Sequence, residues 1–553
     1  MVLGINQKIL NINKSFRLFM SVTVKQLVSG VQIKGRMFQE VNEILTPESI
    51  QFISKLHYLF NPRRVELLKR REKVQREITS GLMPDFIEKT KDIRNSNWKV
   101  APLPGDLLDR RVEIVGSVDQ KTIVDDLNSG ANIFIADFDD STSPTWNNVI
   151  QGQVNLKDAV AGTISYIDIE TGKFHKLDKE TSTLMVRPRS WHLDEKNFLL
   201  NGEPVSASLF DFGLFFFHNA KTLVDKGTGP YFYLPKIESR LEARLWNNVF
   251  VFAQDELGIP IGTIKAAVLI DTIVAAFEMD EILYELKEHS AGLSCGKWNY
   301  IFSFIKKFRN HPMFIFPDRE QITASSRCMQ SYSNLLIKIC HKRNVHAIGC
   351  VSTDIPVMND KAVTEAILKK VYSDKNRQAS EGFDGTMVMH PGLVSFTKKA
   401  FDKYISQKNQ LDNKKEEINI TADDLLSLPV GTITLEGLKT NIDLGIQYLE
   451  EWLRGEGTLP IYDSIETTAT AEIARTQVWQ SVNNPGGSFE DGTKISEELY
   501  SSLLESQLNE IKISVGETRF YKGAYYLAAE IFDSLVREKE FTEFLTLRAY
   551  EFI

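Results

Sequence analysis

Apolar residues recur along this chain with two different periods. Between residue 47 and about 80 they follow helical spacing, with Ile50, Ile53, Leu56 and Leu59/Phe60 on one stripe behind an opening Pro47-Glu48. Residues 63–78 continue as a charged helix. From about 110 the apolar residues gather into short runs separated by mostly helix-length segments. The runs are 111–116, 132–138, 184–188, 231–236, 265–271, 298–303, 346–352 and 386–391. Eight such runs predict eight buried parallel strands, an α/β chain folded as a (β/α)8 TIM-type barrel. A doubly wound open sheet is the alternative, weakened because no GxGxxG turn follows the first run. Residues 405–424 are polar and charged and read as a solvated linker. Beyond them Leu435, Leu438, Ile442, Ile446, Leu449 and Trp452/Leu453 form a helical stripe that stops at Gly455-Glu456-Gly457, and 466–481 and 496–512 also read as helices. The organisation expected is an extension over 1–20, an N-terminal helical segment over 21–105, the barrel over 106–404, the linker over 405–424 and a helical domain over 425–553.

Composition narrows the partners. The 553 residues are 42% hydrophobic and 25% charged, with a net charge of -8. That balance speaks against nucleic acid as a partner, since phosphate binding needs a basic face. No apolar run approaches the ~20 residues of a membrane span. The four cysteines form no CxxC pair and read as reduced thiols, with a metal cluster beside His341 and His346 as the weaker alternative. No acidic residue precedes Glu40, while Lys8, Lys14, Arg17, Lys25, Lys34 and Arg36 do. A basic, acid-free start resembles an organelle presequence and leaves mitochondrial targeting open. The chain ends Tyr550-Glu551-Phe552-Ile553, without the peroxisomal Ser-Lys-Leu ending.

A barrel places its chemistry at the C-terminal ends of its strands. The polar residues at those ends are Asp137, Asp139 and Asp140, Arg187 and Arg189, Lys236, Asp271 and His390.

Several stretches resemble the malate synthase family in its shorter A-type form. The clearest is residues 288–303, EHSAGLSCGKWNYIFS, similar to a signature ending Gly-Arg-Trp-Asp-Tyr-Ile-Phe-Ser. Others are Asp137-Phe138-Asp139-Asp140-Ser141, Val186-Arg187-Pro188-Arg189, Tyr233-Leu234-Pro235-Lys236, and the runs 445–450 and 452–455. The resemblance extends from about residue 21 to the C-terminus. It implies a Claisen condensation of acetyl-CoA with glyoxylate, then thioester hydrolysis to malate and CoA, as in the glyoxylate cycle. It also implies a Mg2+ ion held by a Glu and an Asp, an Asp as base, and an Arg that stabilises the enolate. On that resemblance Arg187 takes the arginine's place. Gly296, Trp298, Asp139 and Asp140 fall in the substrate region, and His390 and Pro391 fall in a stretch near the thioester. A cytoplasmic or peroxisomal (glyoxysomal) compartment is the family's expectation.

The resemblance also exposes replacements. The first metal-ligand position is Asp271 where the family has Glu, which sets the carboxylate back by about one bond, ~1.5 Å. Mg2+ bonds of ~2.0–2.1 Å tolerate little such error. The second ligand position is Asn299 in place of Asp, a neutral and poorer oxygen. The base position is Thr467: the run Glu466-Thr467-Thr468-Ala469-Thr470-Ala471-Glu472-Ile473 stands where the family reads Glu-Asp-Ala-Ala-Thr-Ala-Glu-Ile. A threonine hydroxyl does not accept a proton near pH 7 without a base of its own. Glu466 and Asp463 are the neighbouring carboxylates. If Glu466 lay on the same helix it would point ~100° away from Thr467. Ser190 for Gly and Val351-Ser352-Thr353 for a small-residue run go the same way. The expectation is an impaired malate synthase-like protein. The alternatives are a working malate synthase with a rearranged site, a non-catalytic protein that binds CoA, a small acid or a protein partner, or a related barrel enzyme acting on another acyl-CoA or 2-oxo acid.

Overall fold

The computed structural model describes residues 30–356 and 360–553. The proposed extension over 1–20, with most of the basic N-terminal run, lies outside the described residues.

Eight parallel strands form the centre: Val112–Gly116, Ile133–Asp137, Thr183–Arg187, Tyr231–Leu234, Lys265–Ile270, Ser290–Cys295, Ala347–Ile348 and Thr386–Val388. The first seven pair in sequence order, and the eighth returns to the first through Thr386↔Val112. The seventh and eighth meet through the parallel bridges Ile348↔Gly385 and Ser352↔Val388, which bring the ring nearly to closure. Alternation along the strands makes two cores. Ile133, Ile135, Met185, Tyr233 and Leu269 belong to one apolar cluster, inside the ring. Phe134, Ala136, Val186, Phe232, Leu234, Val268 and Ile270 join a second, larger cluster with the surrounding helices.

Seven of the eight runs contain barrel strands; one does not. Residues 298–303 are helical, within Lys297–Phe308, and the sixth strand is Ser290–Cys295. The aromatic run WNYIFS carries β-type residues, but Tyr300, Ile301, Phe304, Ile305 and Phe308 recur at helical spacing, and that period wins. The strand itself, SAGLSC, is built of small residues because its neighbour is close. A Cβ on Gly292 would lie 2.1 Å from the His346 carbonyl oxygen, and this glycine has φ +109°.

The N-terminal helix is one 33-residue element, Pro47–Thr79, capped by Thr46, whose Oγ1 accepts from the Ser49 amide at 3.2 Å. It packs across the helices that follow the third and fourth strands, Ala207–Asp225 and Arg240–Leu257. Before it, Val31–Ile33 joins an antiparallel sheet with Asp194–Leu200 and Glu203–Ser206, so the segment 21–105 is not wholly helical.

The polar stretch 405–424 is not a free linker. Ile405 is buried, the Gln410 amide donates to Asp384 Oδ1 at 2.6 Å, and His341 Nδ1 bonds the Asn413 carbonyl at 2.6 Å. The helices Leu435–Leu453, Thr468–Asn483, Glu497–Val515 and Tyr525–Arg537 follow and share a separate apolar cluster. Among the described residues no helix is long and apolar enough to cross a membrane.

Candidate active site at the barrel mouth

Ladder register brings the charged strand ends together. Asp137 and Arg187 are direct partners across the second and third strands, and their side chains pair at 2.9 Å. Asp137 also organises the loop after its strand. Its carboxylate accepts from the amides of Asp139 (2.8 Å) and Asp140 (3.2 Å) and from Ser141 Oγ (2.8 Å). Asp139 and Asp140 are thereby turned towards Lys236, whose ammonium bonds Asp139 Oδ2 and lies 2.7 Å from Asp140 Oδ1. Ser190 holds Asp139 from behind, its amide and Oγ donating to Oδ1 at 2.8 and 2.6 Å.

Lys236 stands in the left-handed region with φ +50°, a conformation that costs a non-glycine residue of order 1–3 kcal/mol. Both of its backbone groups are tied. The amide donates to the Asp271 carboxylate (3.0 and 3.1 Å), and the carbonyl accepts from Arg71 of the N-terminal helix (2.8 Å). Arg71 is itself held by Glu242. The long helix thus fixes where the lysine points.

Four buried carboxylates, Asp137, Asp139, Asp140 and Asp271, here face two buried cations, Arg187 and Lys236. The imbalance shows in the titration. Burial, helped by Asp140 and Asp139, pushes Asp271 up to about 7 against the pull of Lys236. Burial likewise raises Asp137 although Arg187 opposes it. For Asp140 burial works the same way but is outweighed by Lys236 and Arg187, so its carboxyl falls below the ordinary range. Arg187 stays charged: burial disfavours the cation, but Asp137, Asp140 and Asp139 outweigh it.

Asn299, in the first turn of Lys297–Phe308, donates from Nδ2 to Asp140 Oδ2 at 2.9 Å and leaves Oδ1 buried without a partner. An excess of buried negative charge beside an orphaned amide oxygen is a donor set that suits a hard cation. It is a thin one. Among the described residues no three His, Cys, Asp or Glu side chains are gathered as a ready-made metal cluster.

The C-terminal domain closes over this mouth. Thr467 is the extended N-cap of the helix Thr468–Asn483, and the Thr468 amide donates to the Asp140 carbonyl at 3.2 Å. Thr468 Oγ1 in turn bonds Tyr448 Oη at 2.8 Å. Between barrel and domain lies a cleft of about 1530 Å³, whose walls include Trp298, Arg319, Cys350, Thr353, Glu466 and Thr470.

Comparison with known proteins decides the lineage. Residues 183–428 match the model "Malate synthase, TIM barrel domain", 432–553 match "Malate synthase, C-terminal", and 29–92 match "Malate synthase, N-terminal domain". A malate synthase of Myxococcus xanthus is 50% identical over 522 residues, 94% of this chain and 96% of that one. The chain belongs to the malate synthase family. A Streptomyces clavuligerus malate synthase is 44% identical, covering 92% of this chain and 96% of its own. A glyoxysomal malate synthase of Glycine max is 43% identical over 95% of this chain and 94% of its own. The barrel-domain match begins at the third strand, whereas the ring itself starts at Val112.

Of the positions singled out by resemblance to malate synthases, Arg187, Asp139, Asp140, Asp271 and Asn299 are drawn into one network around Lys236. Gly296 abuts it: a Cβ there would lie 2.7 Å from Asp271 Cβ. Trp298 lines the cleft, with the Lys297 ammonium 4.2 Å from its ring centre. Three strand-end residues do not join. Arg189 is pinned away from the mouth by Asp211 (2.7 Å) and Glu195 (2.8 Å). His390 only caps its own turn, Nδ1 accepting from the Gly392 amide at 3.0 Å, and neither His390 nor Pro391 lines the cleft.

Glu466 also differs from expectation. It ends the strand Ser464–Glu466 rather than sharing Thr467's helix. Its carboxylate is taken by Arg319 (3.3 and 3.4 Å). Asp463 sits on the exposed tip of the same hairpin. The roles of Arg71, Arg319 and Tyr448 carry no local sequence signal, since each acts on a residue far away in the chain.

Proposed function

We propose that this chain is a malate synthase-like protein that binds acetyl-CoA and glyoxylate in the family's manner but carries out the condensation poorly. The observation that supports this reading is the seat of Thr467. It is the N-cap of the helix whose Thr468 amide meets the Asp140 carbonyl, and its hydroxyl is no proton acceptor near neutral pH. Of the neighbouring carboxylates that line the cleft, Glu466 is paired with Arg319 and Asp463 is exposed on the hairpin tip. Extended backbone sends successive side chains to opposite sides, so Glu466 cannot turn to the face that Thr467 presents without unpairing its strand.

The rest of the machinery is retained in outline. Arg187, buried and charged, is placed to meet an oxyanion developing on the acetyl group. Asp271, Asn299 Oδ1 and Asp140 would hold Mg2+, which when bound supplies Lewis-acid polarisation of the 2-oxo acid. Lys236 holds Asp139 and Asp140 in place and offsets part of their charge. Trp298 and Thr470 on the cleft wall give the acyl-CoA a path between barrel and domain. A working enzyme with a rearranged site is the second reading, favoured by the intact Arg187–Asp137 pair, and it needs a base other than Thr467. The identity to glyoxysomal and bacterial relatives supports a peroxisomal or cytoplasmic role in the glyoxylate cycle.

The test is thiol release from acetyl-CoA with glyoxylate and Mg2+, wild type beside Thr467→Asp. Slow release that the aspartate restores supports the reading. Wild-type turnover equal to that of an ordinary family member refutes it.

A further inference from the structure

Cys350 is the one cysteine of the four that is not buried, and it forms part of the cleft wall. It lies just past the seventh strand, Ala347–Ile348. Cys295 is the last residue of the sixth strand, Ser290–Cys295. Those strands run parallel in the register Leu293↔Ala347 and Ser294↔Ile348. Continued by one step, that register sets Cys295 beside Gly349, next to Cys350. Strands ~4.8 Å apart put two such residues within the ~4.4–6.8 Å Cα separation that a disulfide spans. Both lie on the outer side of the ring: Cys295 belongs to the apolar cluster shared with the surrounding helices, and Cys350 packs against that same cluster.

The surroundings favour a thiolate on Cys350. Neighbouring Cys295 draws its thiol below the ordinary range, burial opposes, and the Lys375 and Lys297 ammonium groups add to the pull against Asp374. Lys375 Nζ donates to the Cys350 carbonyl at 2.7 Å, and Lys297 stands on the cleft wall over Trp298. Cys295, enclosed and without a nearby cation of its own, is pushed the other way by burial. One thiol is thus accessible and activated, and its neighbour is protected, the arrangement of an attacking and a resolving cysteine.

We propose that Cys350 and Cys295 are a thiol–disulfide exchange pair on the cleft wall, Cys350 capturing small-molecule disulfides and Cys295 resolving the adduct. The Cys350 thiolate attacks one sulfur of a disulfide R–S–S–R. A protein–S–S–R bond forms and R–S⁻ leaves. The Cys295 sulfur then attacks the Cys350 sulfur, its proton passes to the departing R–S⁻, and a Cys295–Cys350 disulfide remains. Two protein thiols are oxidised and one small disulfide is reduced to two thiols. The new bond ties the sixth strand to the loop after the seventh, with Cys295 one residue from Gly296 and three from Trp298 on the cleft wall.

The experiment treats the reduced full-length protein with oxidised glutathione and follows intact mass and a non-reducing peptide map. Wild type is expected to end with the Cys295–Cys350 link and no retained glutathione. Cys295→Ser is expected to stop at a glutathione adduct on Cys350, and Cys350→Ser to react at least about tenfold more slowly. Circular dichroism and a melt check that the variants fold. If one does not, the wild-type map decides alone. Absence of the Cys295–Cys350 link in that map, glutathione held on Cys328 or Cys340, or undiminished reaction of folded Cys350→Ser overturns the proposal. None of these readouts depends on malate formation, so they stand apart from the fate of the proposed condensation.

Discussion

Thr467→Asp is the most direct perturbation of the chemistry. Thr467 is only 6% exposed and is the N-cap of Thr468–Asn483, with φ -131° and ψ 178°. Aspartate serves an N-cap as well as threonine and gains from the positive end of the helix, so folding stability should change by less than about 1 kcal/mol. The Thr468 amide stays on the Asp140 carbonyl, which keeps the new carboxylate at the mouth. A positioned general base is worth ~10²–10⁴ in rate, or about 3–5 kcal/mol at 1.36 kcal/mol per tenfold. Asp271 and Asn299 remain unimproved, so the single variant is expected at the low end, about 10²-fold faster thiol release than wild type. The assay traps free CoA with a thiol reagent, with glyoxylate omitted as the blank. Thr467→Asn, equal in size and without basicity, is the control and should gain nothing. If wild type already turns over at the ~1–10³ s⁻¹ usual for enzymes, and the aspartate changes that by less than about threefold, the reasoning fails: some other group is then removing the proton.

Asp271→Glu combined with Asn299→Asp should tighten Mg2+ binding by about tenfold or more, because the longer carboxylate can leave the Lys236 amide and the amide ligand becomes an anion; calorimetric titration that shows equal affinity would contradict this. Gly296→Ala should destabilise the fold by about 1–3 kcal/mol, read as a lower melting temperature, since its Cβ would meet Asp271 Cβ at 2.7 Å and Leu269 Cγ at 3.2 Å. His346 is fully buried with neither ring nitrogen bonded, and burial lowers it to about 4. The unfolded chain therefore binds the proton first, and the stability this residue confers above pH 6.5 is lost as pH falls towards 4. His346→Phe should reduce the slope of unfolding free energy in that window by up to about 1.4 kcal/mol per pH unit, measured by denaturant titrations at several pH values; an unchanged slope would show that His346 does not titrate there.

The barrel was legible because strands buried on both faces read as bare apolar runs, and seven of the eight runs held a ring strand. The ring strand that no run marked, Ser290–Cys295, carries small residues imposed by the close approach of His346, a contact invisible to any local pattern. The polar stretch 405–424 departs from a solvated linker because its polar groups find partners in the barrel: the Gln410 side-chain amide donates to the Ala379 and Phe383 carbonyls, and its backbone amide donates to buried Asp384.

What the sequence determined by itself was the periodicity, hence the barrel and the helical domain, together with which side chains stand at the strand ends. Only the tertiary structure decided which of those side chains meet. Ladder register sets Asp137 against Arg187, Arg71 reaches across 165 positions to the Lys236 carbonyl, and Arg319 pairs with Glu466 over 147. Side-chain charge is local, but the field at a buried atom sums over whatever packs around it, and that neighbourhood exists only once the chain has folded.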